Sequence, residues 1–397
     1  MRVVYEWIDE LMKCNQNVYP RGRCMEMLEN KTLQYCFNSA NVLCIKELRA
    51  TSVTVILYCI AAAGVLLASC GNLLVIISIV FFKQLHTPTN ILVLSLAFAD
   101  FLVGVLIMPF MAIHSVETCW YFGDIFCVIY SICFGLFTDT SIFNIVAIAV
   151  DRSLAICYPL LYSTKVTVRL VSIFTASIWI LALSYACAAY FSTLPNDSGS
   201  GENYCPENCI MTQKQAWILA DLLVSFMVPF SVIITLYINI YIIASRHARL
   251  ISTQFNTGGS KRNISKKSER KAAKTLGVVV AVFIACWSPL YIFSVINQFI
   301  TFSVSPLTYN ALVWLAYMNS GMNPIIYAFF YPWFRKSLKL MVTFKICTPS
   351  SSLTHLFDQS AGVYPNNIGR KAGTIPGQGA GPRNTHTHTH TETMVQM

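Results

Sequence analysis

Residues 319–336 read Asn-Ser-Gly-Met-Asn-Pro-Ile-Ile-Tyr-Ala-Phe-Phe-Tyr-Pro-Trp-Phe-Arg-Lys. They close an apolar run of membrane-spanning length, from about Pro306 to Phe330, that carries Asn319, Asn323 and Pro324 inside it. An amide left without a partner in hydrocarbon costs several kcal/mol. A proline removes a helical hydrogen bond and kinks the helix. A plain anchor would contain neither, so this span packs inside a bundle and has a task there. Directly after it, Trp333 and Phe334 precede Arg335 and Lys336. That is the pattern of a short amphipathic helix lying on a cytoplasmic membrane surface.

The rest of the chain agrees. Of its 397 residues, 55% are hydrophobic and only 12% are charged, about half the charge of an ordinary soluble domain. Runs long enough to span a bilayer fall near 53–82, 90–112, 124–156, 168–191, 215–245, 269–300 and 306–330,. The expected architecture is an all-α membrane protein, a bundle of seven transmembrane helices. Its parts are an N-tail (1–52), the seven-span domain (53–331), the amphipathic helix (332–345) and a disordered tail (346–397) of low complexity. No cleavable signal peptide is visible in the polar first 50 residues, so the first span acts as the targeting signal,.

Lysine and arginine set the orientation. Arg246, Arg249, Lys261, Arg262, Lys266, Lys267, Arg270, Lys271 and Lys274 cluster between spans five and six, with Glu269 as the acid among them. The positive-inside rule then puts the C-terminus in the cytoplasm and the N-terminus outside, as expected of a multi-pass plasma-membrane protein. The net charge of +10 is a topology signal and does not point to nucleic acid. The glycosylation sequons at Asn30 and Asn196 fall on the predicted outer face,. The chain has 15 cysteines. Cys36, Cys44, Cys127, Cys205 and Cys209 are among those on or near the outer side, where disulfides persist. Spacing alone does not give their pairing.

Ionisable groups inside a membrane are costly and usually functional. This chain places Asp100 in span two, Asp139 in span three and Asp221 in span five, and closes span three with Asp151-Arg152. No nucleotide loop and no nucleophile with a positioned base is present, so the chain does not read as an enzyme. The paired broken helices and inverted repeats of a transporter are missing too.

One residue or motif in each span then forms an ordered series: Asn72, Asp100, Cys127 with Asp151-Arg152, Trp179, Pro229, Cys286-Trp287-Ser288-Pro289, and Asn323-Pro324-Ile325-Ile326-Tyr327. The series resembles the rhodopsin-like (class A) G-protein-coupled receptors over roughly residues 53–345. Within that class, Asn319-Ser320, Asn323-Pro324, Tyr327, Tyr331 and Trp333-Phe334 resemble the fingerprint of the trace amine-associated receptors. The stretches Glu117 to Gly123 and Glu269 to Gly277 are similar to that family as well.

The resemblance implies a chemosensory receptor for amines that signals through a stimulatory G protein and cyclic AMP, with arrestin and a receptor kinase as later partners. Aminergic relatives carry an aspartate in span three where this chain has Phe134. Asp221, eight residues before Pro229, resembles the amine-binding position of fish-type members and is the expected primary ligand. Asp139, about one and a half turns deeper than Phe134, is the expected second acid. Its alternative role is a buried acid bonded to Thr138 or Ser225. Two acids in one cavity suit a diamine or polyamine, and one shared proton between them would suit a monoamine.

Phe134, Trp287, Tyr291, Trp314 and Tyr317 are the expected aromatic wall. The class implies a Cys127–Cys209 disulfide, leaving Cys205 for Cys36 or Cys44. Asp100, Ser141, Asn319 and Asn323 match a polar cluster that holds a sodium ion in many members, and oxygen ligands suit that hard cation. No other cofactor is expected. Arg152 and Glu269 would form the inner switch next to Asp151, with Tyr237, Asn323, Pro324 and Tyr327 completing it. The competing reading is a class A receptor for a peptide or lipid, or one that has lost amine binding.

Overall fold

The computed structural model of the protein describes residues 51–193, 215–253, 262–299 and 306–343, together with residues 36, 46, 49, 50 and 209. Side chains at the inner ends of spans five and six, Glu269 among them, lie outside the described residues, as do Asn30, Cys44, Asn196 and Cys205.

Seven long helices form the bundle. Span one is Thr51–Phe81 and span two is Pro88–Glu117. Span three is Asp124–Cys157 and span four is Val168–Thr193. Span five runs in three pieces, Gln215–Asp221, Leu222–Met227 and Val228–Thr253. Span six is Arg262–Phe299 and span seven is Pro306–Phe330. By length and composition, six of them are apolar enough to cross a membrane among the described residues. Span seven, with Asn319, Ser320 and Asn323, is more polar because it faces the interior, where those three residues are buried.

Helix starts follow local chemistry. Pro88, Pro159 and Pro332 each open a helix, where a missing N–H costs nothing and the fixed φ helps. Thr87 caps span two by accepting from the Asn90 amide,. Two helices loosen into a π turn, at Val103–Ile107 in span two and at Leu222–Met227 in span five. Each turn ends two residues before a proline, Pro109 or Pro229. Neither proline can donate to the carbonyl four residues back, and the ladder relaxes into a wider turn there.

Gly104, inside the first π turn, sits so close to Ser69 that a Cβ would lie 2.8 Å from the Ser69 backbone nitrogen. A side chain there would push spans one and two apart. The closing helix, Pro332–Val342, is not a loose surface element. Trp333 and Phe334 are buried among Val75, Ile79, Phe82 and Tyr327, and Ser337 Oγ donates to Ser78 Oγ at 2.8 Å.

At the Cys127 end of the bundle, the chain before span one crosses to the end of span two. Cys36 bonds to Cys119. Arg49 donates to the Ser115 carbonyl at 2.8 Å, and Tyr58 donates to Glu117 at 3.0 Å. Lys46 pairs with Glu117 as well, which holds the Lys46 ammonium above the ordinary lysine pKa. This corrects one of the two partners expected for Cys205, namely Cys36; the other, Cys44, lies with Cys205 outside the described residues. The ion pair and hydrogen bonds hold Lys46 and Arg49 against the end of span two, and the Cα atoms of Cys36 and Cys119 are 5.6 Å apart. The second bridge, Cys127–Cys209, is the one the class implies.

Candidate functional site

Three polar clusters occupy the bundle. The central one surrounds Asp100. Ser141 of span three and Ser320 of span seven donate to Asp100 Oδ1 at 2.9 and 2.8 Å. Asn323 Nδ2 donates to Oδ2 at 2.7 Å. Asn72 of span one donates to the Ser320 carbonyl at 3.0 Å, which ties the cluster to a fourth helix. Ser320 is the residue the sequence reading missed. It takes the place expected of Asn319, which is buried but is not a partner of Asp100 in these bonds. Residues 319 and 320 differ by about 100° around the helix, and here the serine faces the carboxylate.

The second cluster lies at the Arg152 end. Asp151 Oδ2 accepts from Arg152 at 2.9 Å and from Thr89 at 2.6 Å, and Tyr162 donates to Oδ1 at 2.8 Å. Arg152 is therefore held by its own neighbour. Tyr327 packs edge-on to Tyr331, with ring centroids 5.6 Å apart. Tyr237 is half-buried and lies against Gly277 of span six.

The third cluster joins spans three, four, five and six. Ser225 Oγ donates to Asp139 Oδ1 at 2.9 Å, and Asp139 is only 5% exposed. Asp221 stands one turn before Ser225, and the hydroxyls of Ser225, Tyr291 and Tyr185 face its carboxylate. Asp221 lies near enough for its charge to act on Asp139. Among the described residues no lysine or arginine forms an ion pair with either of them. The π turn at Leu222–Met227 carries Ser225 and Phe226 inward, where both are buried. Phe226 stacks on Tyr291 with centroids 4.7 Å apart, and Trp287 lies 6.0 Å from Tyr291.

The expected aromatic wall is divided. Trp287 and Tyr291 stand with Phe226 and Leu222 of span five in one core cluster. Phe134, Trp314 and Tyr317 belong to another, on the side of spans one and two. Tyr317 meets Phe134 and Trp314 edge-on at 5.8 and 6.0 Å. Trp314 Nε1 donates to Ser115 at 3.2 Å. Tyr185 of span four was legible only as packing, since a lone aromatic in an apolar helix carries no charge signal. Its hydroxyl oxygen is buried, faces Asp221 and makes no hydrogen bond.

Chemically, the third cluster presents two carboxylates and several hydroxyls in a buried, aromatic setting. That arrangement suits a cation able to donate hydrogen bonds. Comparison with known proteins agrees in kind. The rhodopsin-family model of seven-transmembrane receptors matches residues 71–327. Trace amine-associated receptor 8b of Rattus norvegicus is 43% identical over 342 residues, covering 83% of this chain and 98% of that one. Trace amine-associated receptor 13c of Danio rerio is 43% identical over 332 residues, with 82% and 96% covered. Trace amine-associated receptor 4 of Mus musculus is 40% identical over 332 residues, with 82% and 95% covered.

Proposed function

Since the chain belongs to the trace amine-associated receptors of the rhodopsin family, we propose that it is a chemosensory receptor for amines. It sits in the plasma membrane with its N-terminus outside. An amine bound beside Asp221 is coupled to a stimulatory G protein and cyclic AMP, with a receptor kinase and arrestin acting afterwards. The observation that carries this reading is the pair of neighbouring carboxylates, Asp139 and Asp221, with no cationic side chain paired to either among the described residues. A protonated amine supplies the missing positive charge. Asp221 is the primary ligand, less buried than Asp139 and with its carboxylate turned to several hydroxyls. Asp139 is the second.

Coupling runs through the two inner clusters. The Asp100 donor set fits a sodium ion: a carboxylate with the hydroxyl oxygens of Ser141 and Ser320 against it. Asn323 turns its N–H to Asp100 and so steadies the carboxylate instead of serving as a ligand. A bound sodium would supply positive charge that holds these helices in the resting arrangement. Arg152, paired with Asp151, is withheld from the G protein in that state. Its release, with Glu269 as the further partner on span six and Tyr237 and Tyr327 as the active-state contacts, is a shift between two populations.

The test is a cyclic-AMP reporter in cells expressing the receptor, screened with matched mono-, di- and polyamines at fixed pH. Activation by amines that is lost in Asp221→Asn supports the reading. Silence toward every amine, with surface expression verified, moves the assignment to a receptor for a non-amine ligand.

A further inference from the structure

We infer that the cleft between the Arg152 end of span three and the short helix after it binds an anionic phospholipid, with acyl chain in the cleft and phosphate on Lys165 and Tyr158. The site is remote from the amine site and does not rest on the amine reading.

Span three ends at Cys157, and the helix Pro159–Lys165 follows after one residue. None of the seven residues of that helix is buried. Leu154 and Tyr158 from one side, Leu161, Tyr162 and Lys165 from the other, and Val166 below line a cleft of about 180 Å³. Leu154 and Tyr158 stand one helical turn apart, as do Leu161 and Lys165. Leu154, Tyr158 and Leu161 remain exposed. Apolar surface left open at the end of a membrane-spanning helix meets lipid and not bulk water.

Charge selects the lipid. Among the described residues Lys165 has no ion pair and the Tyr158 hydroxyl has no hydrogen-bond partner. The Lys165 stem lies along the cleft wall and leaves its ammonium free to reach outward,. Together an ammonium and a phenol offer a phosphate positive charge and N–H and O–H donors. Arg169 follows four residues after Lys165, and no aspartate or glutamate lies between Arg152 and Arg169. This end of the bundle faces the cytoplasmic leaflet in the orientation proposed above, and that leaflet carries the anionic phospholipids. The same lipid supplies the chain and the phosphate at one depth. Leu160, 85% exposed, is not part of the cleft wall and stays open to a protein partner.

The cleft also touches the switch. Tyr162 lines it, and the Tyr162 hydroxyl donates to Asp151 Oδ1 at 2.8 Å. Asp151 in turn holds Arg152 through Oδ2. A chain packed on the Tyr162 ring braces that ring against Asp151, and so steadies the arrangement in which Arg152 is held.

The experiment uses the full-length receptor, delipidated in a neutral detergent and titrated separately with dioleoyl phosphatidylglycerol, dioleoyl phosphatidylcholine and oleate. Retained lipid is read by native mass spectrometry. Wild type should hold the first phosphatidylglycerol about fivefold more tightly than phosphatidylcholine, the scale of one lysine beside an anionic headgroup. Lys165→Gln should remove about that factor, and Lys165→Arg should keep most of it. Leu161→Trp fills the cleft while leaving the charges in place, and should weaken phosphatidylglycerol as well. Leu161→Phe is the milder filling should the tryptophan variant fail to fold.

Phosphatidylglycerol binding unchanged by both Lys165→Gln and the filled cleft overturns the inference. So does equal retention of phosphatidylcholine. Oleate held as tightly as phosphatidylglycerol, with the same dependence on Lys165, makes this a fatty-acid site and overturns the phospholipid assignment. Variants that bind lipid normally but lose cyclic-AMP signalling hand the cleft to the G protein, and overturn it too.

Discussion

Asp100 and the Asp139–Asp221 pair are acids inside the same bundle, and their surroundings are opposite in kind. Asp100 is satisfied by the protein itself, with three donors from two other helices closing on its two oxygens. At the other site Ser225 donates to Asp139, the hydroxyls of Tyr291 and Tyr185 face Asp221, and two carboxylates share the space. The first arrangement is complete as a joint between helices. The second is completed by something that binds. Burial alone does not distinguish a structural acid from a recognition site. The count of donors already spent on it does.

Variants of the two regions can break that contrast. The largest expected effect is on stability. Asp100→Ala strands the Asn323 amide and two hydroxyls, though both serines can fall back on carbonyls of their own helices. The loss should be about 3 kcal/mol, seen as a lowered apparent melting temperature of the detergent-solubilised receptor. Asp139→Ala frees only Ser225 and should cost about 1 kcal/mol or less by the same measurement. Equal losses would erase the distinction.

A smaller effect sharpens the recognition side. Ser225→Ala removes the donor that Asp139 accepts from and should change amine potency by about three- to tenfold in the cyclic-AMP assay,. The smallest effect concerns the joint. Ser320→Ala should lower the melting temperature by an amount worth about 1 kcal/mol, and Ser320→Thr, which keeps the hydroxyl, should recover most of it.

Much of this was readable from the chain. Seven spans and the three membrane acids follow from hydropathy and charge. Asn319, Asn323 and Pro324 mark span seven as an inward-facing helix. The π turns were not readable, although Pro109 and Pro229 were in view. A helix apolar all round gives no register signal, so a turn that adds one residue leaves no trace in the pattern. Nor was it readable that Ser320 and not Asn319 bonds Asp100 directly, since both are polar and adjacent.

Tyr185 escaped notice because its role depends on what span four lies against, and not on its own neighbours in sequence. Ser225 was closer to hand, one turn after Asp221 and so on the same face. The partner of Cys36 goes with the contacts of Lys46 and Arg49 to Glu117 and Ser115. Cysteine spacing does not encode that path.

The central claim is a charge pairing between the ligand and Asp221. The direct measurement is a cycle: wild type and Asp221→Asn, each tested by cyclic-AMP dose–response with an activating amine and with its neutral analogue bearing a hydroxyl in place of the amino group. The account predicts that the amine loses about 100-fold in the variant, the scale of stranding one partner of a buried charge pair, while the neutral analogue is equally weak at both receptors. An amine potency unchanged by Asp221→Asn would contradict it.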